Sequence, residues 1–255
     1  IGVSGTEVVD IDLRSEGPHA LIGGTTGSGK SEFLRSFVVG LATRQSPEYL
    51  NFVLIDYKGG SAFDRCADLP HTVGMVTDLD GQLAERALQC LHAEIEYRER
   101  TLRTAGATDL EELRRAAGGP GLPRLIVVID EFATLATELP DFMKSLVGIA
   151  QRGRSLGVHL VLATQRPSGV VNDEIRANTN LRIALRVQDA ADSMDIIGTD
   201  QAAGLPRHLP GRACLRFGPG DVDVVQTARC TGPMRALGRA PVEAHFTANR
   251  LSGSA

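Results

Sequence analysis

The stretch HALIGGTTGSGKSEFLRSFVVGLAT, residues 19–43, decides the fold. Its first six residues are an apolar segment of strand length, and Ser31 to Thr43 follow an apolar helical pattern. Between them, residues 24–31 (GTTGSGKS) match every fixed position of the pattern G-x-x-x-x-G-K-[ST]. Glycines let such a loop fold around a phosphate with its N–H groups pointing inward, at the positive end of the following helix. The stretch therefore predicts a phosphate-binding loop.

This loop defines the predicted contacts to ATP and Mg²⁺. Lys30 is expected to reach the β- and γ-phosphates, and the Ser31 hydroxyl to ligate Mg²⁺. A glycine-rich turn beside a surface lysine is the alternative, which the flanking strand and helix disfavour. The predicted nucleotide-binding residues are Gly24, Thr25, Thr26, Gly27, Ser28, Gly29, Lys30, Ser31 and Glu32.

Two acidic residues, Asp130 and Glu131, follow another buried-strand pattern, LIVVI at residues 125–129. Asp130 at the strand tip is predicted to hold the Mg²⁺ shell, and Glu131 to polarise an attacking water. By themselves, two such acids could equally enter a loop or cap the next helix. The phosphate loop in the same chain favours the catalytic interpretation.

Polar residues also end the strand pattern VHLVLATQ, residues 158–165. Gln165 is predicted to lie between the acidic pair and the γ-phosphate, where it orients water and senses the nucleotide. An ordinary strand exit into a turn is the alternative. An extra strand between phosphate loop and acidic strand, with Glu beside Asp, is typical of RecA-like motors.

Further strand patterns at 50–57, 72–78 and 181–187 alternate with helical patterns, including 83–102 and 140–154. We therefore predict an α/β fold: a RecA-like P-loop NTPase of the ASCE type, mostly parallel, with helices on both faces. ACLRF and DVVQTA predict late antiparallel strands, and residues 114–124 predict a Gly/Pro loop. Residues 1–232 are expected to form one domain, and 233–255 a weakly patterned tail.

Composition restricts the function classes. The 42% hydrophobic and 23% charged residues exclude wholesale disorder, and the net charge of −4 disfavours binding of duplex DNA by charge alone. No apolar run reaches the roughly 18 residues of a membrane span.

The cysteines do not indicate a metal or disulfide site. No Cys pair has C-x-x-C spacing, Cys90 and Cys214 are predicted core residues, and no zinc site is predicted. A reduced, cytoplasmic setting is expected. No signal peptide is visible, and because the sequence does not begin with Met we expect a piece of a longer chain.

Arginines could stabilise transferred charge from a neighbouring subunit, as in RecA-like motors. Arg182 and Arg186 alternate with apolar residues on a predicted strand and are the preferred candidates for this trans role; a sensor or a solvated face are the alternatives. The full set considered is Arg152, Arg154, Arg176, Arg182 and Arg186.

Several separate segments together resemble the FtsK/SpoIIIE family of motor ATPases, from the phosphate loop to about Phe217. They include GTTGSGKSEFLRS, LIVVIDEFATL and GVHLVLATQRP. The DYKGG, ADLPH and ADSMDIIG…LPGRA segments resemble its type VII (ESX/WXG100) secretion branch more than its DNA translocases.

The resemblance implies Mg²⁺-dependent ATP hydrolysis, with Lys30 and Ser31 as the Walker A pair. Asp130 and Glu131 match Walker B and the catalytic glutamate, and Gln165 matches the sensor. It further implies hexameric rings with itself or tandem homologous domains, export of small helical proteins, and attachment to the cytoplasmic face of the inner membrane through parts outside this chain. A DNA translocase motor and a nucleotide-binding regulatory module with little turnover stay open as alternatives.

Overall fold

The computed structural model describes residues 1–57, 62–77 and 81–231. Within them, ten strands form one sheet: β1 (Gly2–Ser4), β2 (Glu7–Val9), β3 (Ala20–Gly23), β4 (Leu50–Asp56), β5 (Thr72–Thr77), β6 (Arg124–Asp130), β7 (Val158–Thr164), β8 (Leu181–Leu185), β9 (Arg212–Phe217) and β10 (Val222–Thr227). The α-helices are α1 (Lys30–Ala42), α2 (Gly81–Ala105), α3 (Leu110–Ala117), α4 (Phe132–Glu138), α5 (Pro140–Leu156), α6 (Asp173–Asn178) and α7 (Ala190–Ile197).

The strand order is β2-β1-β10-β9-β8-β3-β7-β6-β4-β5. Strands from β8 through to β5 run parallel, whereas β8, β9, β10, β1 and β2 pair antiparallel. β3, which leads into the phosphate loop, lies between β8 and β7, and β7 separates it from the acidic strand β6. The predicted fold class, including the inserted strand and the late antiparallel pair, is confirmed.

Side chains of each central strand alternate between two hydrophobic clusters, one on each face of the sheet. In β6, Val127 and Ile129 belong to the cluster that contains residues of α2 and α5. Ile126 and Val128 belong to the other cluster, with Phe33 and Phe37 of α1. Because successive strand residues point to opposite faces, Asp130 is directed to the α1 face, towards the end of the phosphate loop.

Three local features differ from the sequence predictions. Residues 114–117 are helical rather than part of a loop, because α3 is capped by the Asp109 side chain and buries Leu110 and Leu113. Cys90 is exposed on α2, while Cys214 is buried as predicted. The short strands β1 and β2 and the helices α4 and α6 are elements that the sequence patterns did not indicate.

Two of the sequence predictions fall on residues that the structure does not describe. The tail at 233–255 and residues 58–60 of the DYKGG segment lie outside the described residues. Among the described helices, none combines the length and the apolar character that crossing a bilayer requires.

Two buried histidines hold the amino ends of the central strands together as neutral rings. The backbone N–H of Leu160 donates to Nδ1 of His19, so the proton of this neutral ring is on Nε2. His19 Nε2 donates it to the carbonyl of Ala150 at 2.9 Å. His159 Nδ1 donates to the Pro18 carbonyl at 2.9 Å. Burial lowers the pKa of each histidine from 6.5 to about 4, chiefly by desolvating the charged form.

These shifts predict a pH-dependent stability. Since the folded pKa lies below the unfolded one, the contribution is complete above pH 6.5 and is lost as the pH falls towards 4. Chemical denaturation should give a free energy of unfolding that is lower at pH 5 than at pH 7.5 by about 2 kcal/mol for each histidine. His19→Gln should flatten this pH dependence, and the exposed control His208→Gln should not. Equal slopes in both variants would contradict the assignment.

Candidate active site

The phosphate loop is fixed by the main chain of both neighbouring strands. The N–H of Gly24 donates to the carbonyl of Thr164 at the end of β7, at 3.2 Å. The N–H of Thr25 donates to the carbonyl of Arg186, just beyond β8, at 2.9 Å. Within the loop, Ser28 N–H donates to the Thr25 carbonyl at 3.0 Å. The loop is therefore held at the carboxyl edge of the sheet, where ligands of such sheets bind.

The loop's conformation fits a bound phosphate. Gly27 and Gly29 have φ values of 76° and 99°, in the left-handed region that favours glycine. Gly29 is the N-cap of α1 and contributes no side-chain cap, so the first amides of the helix have no partner inside it. Ser28 Oγ is buried, with no hydrogen-bond partner among the described residues. Free amides, a helix N-terminus and a buried hydroxyl are donors that suit phosphate oxygens.

Lys30 and Asp130 form a buried ion pair. Lys30, the first residue of α1, donates through Nζ to Oδ1 of Asp130 at the tip of β6, and each side chain is about nine-tenths buried or more. The structure thus brings together the predicted Walker A lysine and Walker B aspartate, which lie 100 residues apart in the chain. Each side chain neutralises the charge of the other. With Mg-ATP bound, the triphosphate would be a stronger partner for Lys30, and Mg²⁺ a stronger partner for Asp130.

Glu131 has an unusual backbone. Its φ of 62° and ψ of 46° are left-handed, and it is the one non-glycine with positive φ in the described part of the chain. Such a conformation costs about 1–2 kcal/mol. Glu131 occupies the N-cap position of α4 but makes no side-chain cap, which argues against the helix-capping alternative.

The Glu131 carboxylate is instead oriented by the end of β7. Oε1 accepts from the Thr164 hydroxyl at 3.0 Å and from the backbone N–H of Gln165 at 3.3 Å. Thr164 is fully buried and Glu131 is 3% exposed, so these bonds are protected from water. The strained backbone and the two bonds fix one carboxylate orientation, as a group that polarises water requires.

Gln165 links the strand end to the tip of the phosphate loop. Thr26 Oγ1 donates to the Gln165 side-chain oxygen at 3.0 Å. The backbone N–H of Gln165 donates to the Glu131 carboxylate, as described above. A residue that contacts both the loop and the carboxylate is placed to report a change in one to the other. Its role as sensor stays a prediction that this geometry supports.

Ser31 and Glu32 lie in the first turn of α1, where Ser31 is half-buried. The Glu32 carboxylate pairs with Arg35 and accepts from the Thr231 hydroxyl, and Arg229 lies 3.7 Å away. The Thr231 hydrogen bond is the largest cause of a lowered Glu32 pKa. A Glu32 contact to nucleotide stays a prediction, made by a residue whose carboxylate already has these partners.

The two preferred arginines differ in position. Arg182 lies near the amino end of β8, paired with Leu21, and donates to the carbonyls of Thr179 and Arg176 at 3.1 and 2.9 Å. Arg186 lies at the carboxyl edge, and its Nη2 is 3.4 Å from the Thr26 carbonyl of its own phosphate loop. All these contacts are made within the chain, so a trans role for either arginine stays a prediction.

The other three candidate arginines are Arg152, Arg154 and Arg176. Arg152 pairs with Glu99 at 3.3 Å, and Arg154 is exposed. Arg176 pairs with Asp173 and Asp195 at 3.4 and 2.5 Å.

Asp56 is a site residue that the sequence analysis did not assign. It ends β4, is 3% exposed and pairs in register with Asp130. In-register residues of neighbouring parallel strands point to the same face, so Asp56 and Asp130 are on the α1 face at the same edge of the sheet. The signal was present, because LNFVLID ends in Asp in the same way as LIVVID.

A model of the FtsK/SpoIIIE family matches residues 2–120 and 113–169. The chain belongs to the FtsK/SpoIIIE family. Together with the strand order, this membership identifies it as a P-loop ATPase of the RecA-like class. The resemblance stated from the motifs alone is confirmed.

Curated relatives of this FtsK/SpoIIIE chain include type VII secretion proteins. It is 43% identical to EssC of Staphylococcus aureus (strain N315) over 229 residues, covering 87% of this chain and 15% of EssC. It is 40% identical to the ESX secretion system protein EccC of Geobacillus thermodenitrificans (strain NG80-2), covering 91% of this chain and 16% of EccC. The chain thus spans about one sixth of the length of these relatives.

Solved structures agree. The cytoplasmic domain of the Thermomonospora curvata type VII secretion ATPase EccC has a TM-score of 0.87 at 36% identity, covering 92% of this chain and 29% of that one. The pCW3 conjugation coupling protein TcpA, solved with ATPγS, has a TM-score of 0.76 at 27% identity, covering 90% and 65%.

Thr164 provides a test of how Glu131 is oriented. Thr164→Val removes the hydroxyl that donates to Glu131 Oε1 and accepts from the Arg166 N–H, while keeping the side-chain shape. We expect about a tenfold loss of ATP turnover, as for a hydrogen bond to a charged group, with unchanged nucleotide affinity. Thr164→Ser should restore turnover. Wild-type turnover in Thr164→Val would show that the hydroxyl does not contribute.

Proposed function

We propose that this chain is an ATP-hydrolysing motor domain of a type VII-like protein secretion ATPase. One observation supports catalysis most strongly: Lys30–Asp130 and Glu131–Thr164 lie side by side under an intact phosphate loop. The secretion assignment is supported by the relatives named above and by the T. curvata EccC structure, which has the same fold at 36% identity.

The residues fit Mg-ATP in a defined way. Bound Mg²⁺ would neutralise charge on the β- and γ-phosphates. Lys30 would bind the phosphate oxygens, while Ser31 and Asp130 would hold the metal and its waters. A hydroxyl and one carboxylate are a donor set that suits Mg²⁺, an ion that binds through few protein oxygens and keeps several waters.

Glu131 would orient the attacking water and accept its proton. The hydroxyl of Thr164 and the amide of Gln165 hold its carboxylate in place before the reaction, so little reorganisation is needed at the transition state. Gln165, bonded to Thr26, would report the state of the loop to this carboxylate.

In the proposed assembly the domain works in a hexameric ring with itself or tandem homologous domains, at the cytoplasmic face of the inner membrane. An arginine from the adjacent domain, Arg182 or Arg186 by our prediction, would complete each site. Turnover of the isolated domain would therefore be weak. The proposed substrates are small helical secreted proteins; a related structure, of T. curvata EccC ATPases 2 and 3, was solved with a signal sequence peptide.

A DNA-translocating motor is the second candidate, favoured by the similarity to the conjugation coupling protein. The net charge of −4 argues against it. Titration with duplex DNA at about 50 and 200 mM salt separates the two, because phosphate contacts make affinity fall steeply with salt. Weak or absent binding at both concentrations supports the secretion assignment, and tight, salt-sensitive binding contradicts it.

A further inference from the structure

The turn before β9 packs directly against the back of the phosphate loop. The Gly211 N–H donates to the carbonyl of Ser28 at 2.8 Å. A Cβ on Gly29 would lie 2.7 Å from the Gly211 nitrogen, so the two backbones touch with no room for a side chain between them. This turn belongs to the LPGRA segment, to which the proposed chemistry gives no role.

Gly211 is in turn held by the end of β10. The backbone N–H and the hydroxyl of Thr227 both donate to the Gly211 carbonyl, at 2.9 and 2.8 Å. The Gln226 side-chain amide donates to the Pro210 carbonyl at 3.1 Å. Gly211 has a φ of +83°, and a Cβ on it would lie 2.8 Å from Thr227 Oγ1 and 3.0 Å from Gln226 Nε2.

The chain that follows β10 then contacts α1. The N–H of Cys230 donates to Ser36 Oγ at 3.0 Å, and the Thr231 hydroxyl donates to Glu32. Residues 209–212 and 226–231, here called the bracket, therefore contact both the phosphate loop and the helix that follows it.

We infer that the bracket positions the phosphate loop for nucleotide, with Gly211 and Thr227 as positioning residues. The physical reason lies in the Ser28–Gly29 peptide. In a trans peptide the carbonyl and the N–H point in opposite directions. Anchoring the Ser28 carbonyl on Gly211 therefore directs the Gly29 N–H to the other side of the loop backbone. That N–H is one of the donors that the loop offers to phosphate.

The inference rests on the proposed function and can fail separately from it. Gly211→Ala has a matched control, because Gly218 at the other end of β9 also has a positive φ, +52°, but open space around a Cβ. Both alanines strain the backbone, and Gly211→Ala alone displaces the bracket. Thr227→Val is a milder variant, which loses the hydroxyl bond and keeps the backbone bond.

The measurement is the Kd of the 255-residue chain for a fluorescent ATP analogue in the presence of Mg²⁺. The melting temperature of each variant is measured alongside. We expect Kd to rise about tenfold or more in Gly211→Ala and about threefold in Thr227→Val, and to stay within about twofold in Gly218→Ala. If Gly211→Ala does not fold, Thr227→Val decides. Wild-type Kd in folded bracket variants would overturn this inference alone. A wild-type chain that binds no nucleotide would overturn the proposed function with it.

Discussion

Glu131→Gln leaves the binding of Mg-ATP intact and lowers ATP turnover by at least about a hundredfold, the range expected when a general base is removed. The amide has the same shape and can still accept from the Thr164 hydroxyl, which is 3.0 Å from Oε1 in the wild type. It cannot accept a proton from water. Affinity should survive because the phosphate contacts come from the loop and Lys30, while the chemical step is lost.

The comparison needs phosphate release and nucleotide affinity measured on the same preparations. Glu48→Gln is the matched control, because Glu48 is exposed and lies outside every motif segment. It should leave both quantities unchanged. Unchanged turnover in Glu131→Gln would remove Glu131 from the mechanism, and lost affinity would assign it to binding instead.

Lys30→Met should lower nucleotide affinity by about a hundredfold or more, because the phosphates lose their charged donor. It should also destabilise the fold by about 3–5 kcal/mol, the cost of removing one partner of a buried ion pair. The pair is well enclosed, with 4% of the Lys30 and 10% of the Asp130 side chain exposed. Lys144→Met, at a 79% exposed lysine, is the control and should change neither quantity.

A double variant separates the two effects of Lys30→Met. In Lys30→Met/Asp130→Asn both charges are removed, so much of the lost stability should return, while nucleotide affinity should not. Denaturant titration and nucleotide titration of the three proteins give the comparison. Recovery of nucleotide affinity together with stability would show that Lys30 acts only by holding the fold.

The core of the fold could be predicted because its signals are local. A strand, a phosphate loop and a helix are contiguous in residues 19–43, and the buried strands β6 and β7 are each built around an apolar run, LIVVI at 125–129 and LVLA at 160–163. Their carboxyl ends carry Asp130 and Gln165, so the predicted site residues converge as soon as the sheet is parallel.

The parts that were missed depend on distant contacts or on short signals. β1 and β2 have three residues each and exist because β1 pairs with β10, more than 200 residues away. Gly211 is one glycine among 28, and nothing local indicates that it supports Ser28. α3 was readable, since Asp109 is followed by two glutamates and a leucine pair.

Glu131 shows the limit of pattern reasoning at the site itself. Its position beside Asp130 predicted a catalytic role, but its left-handed backbone and its bond to Thr164 come from packing between β6 and β7. The same strain that costs stability fixes the carboxylate, as functional sites often require.

A single-turnover experiment tests hydrolysis most directly, because it detects one slow cycle of hydrolysis and does not require a fully assembled ring. The chain in excess over γ-labelled ATP, with Mg²⁺ added to start the reaction, should convert the bound ATP to ADP and labelled phosphate. Glu131→Gln should hold the same ATP intact over the same period. Bound ATP that stays intact in the wild-type chain, including when tandem homologous domains are supplied, would contradict the account and favour a nucleotide-binding regulatory module.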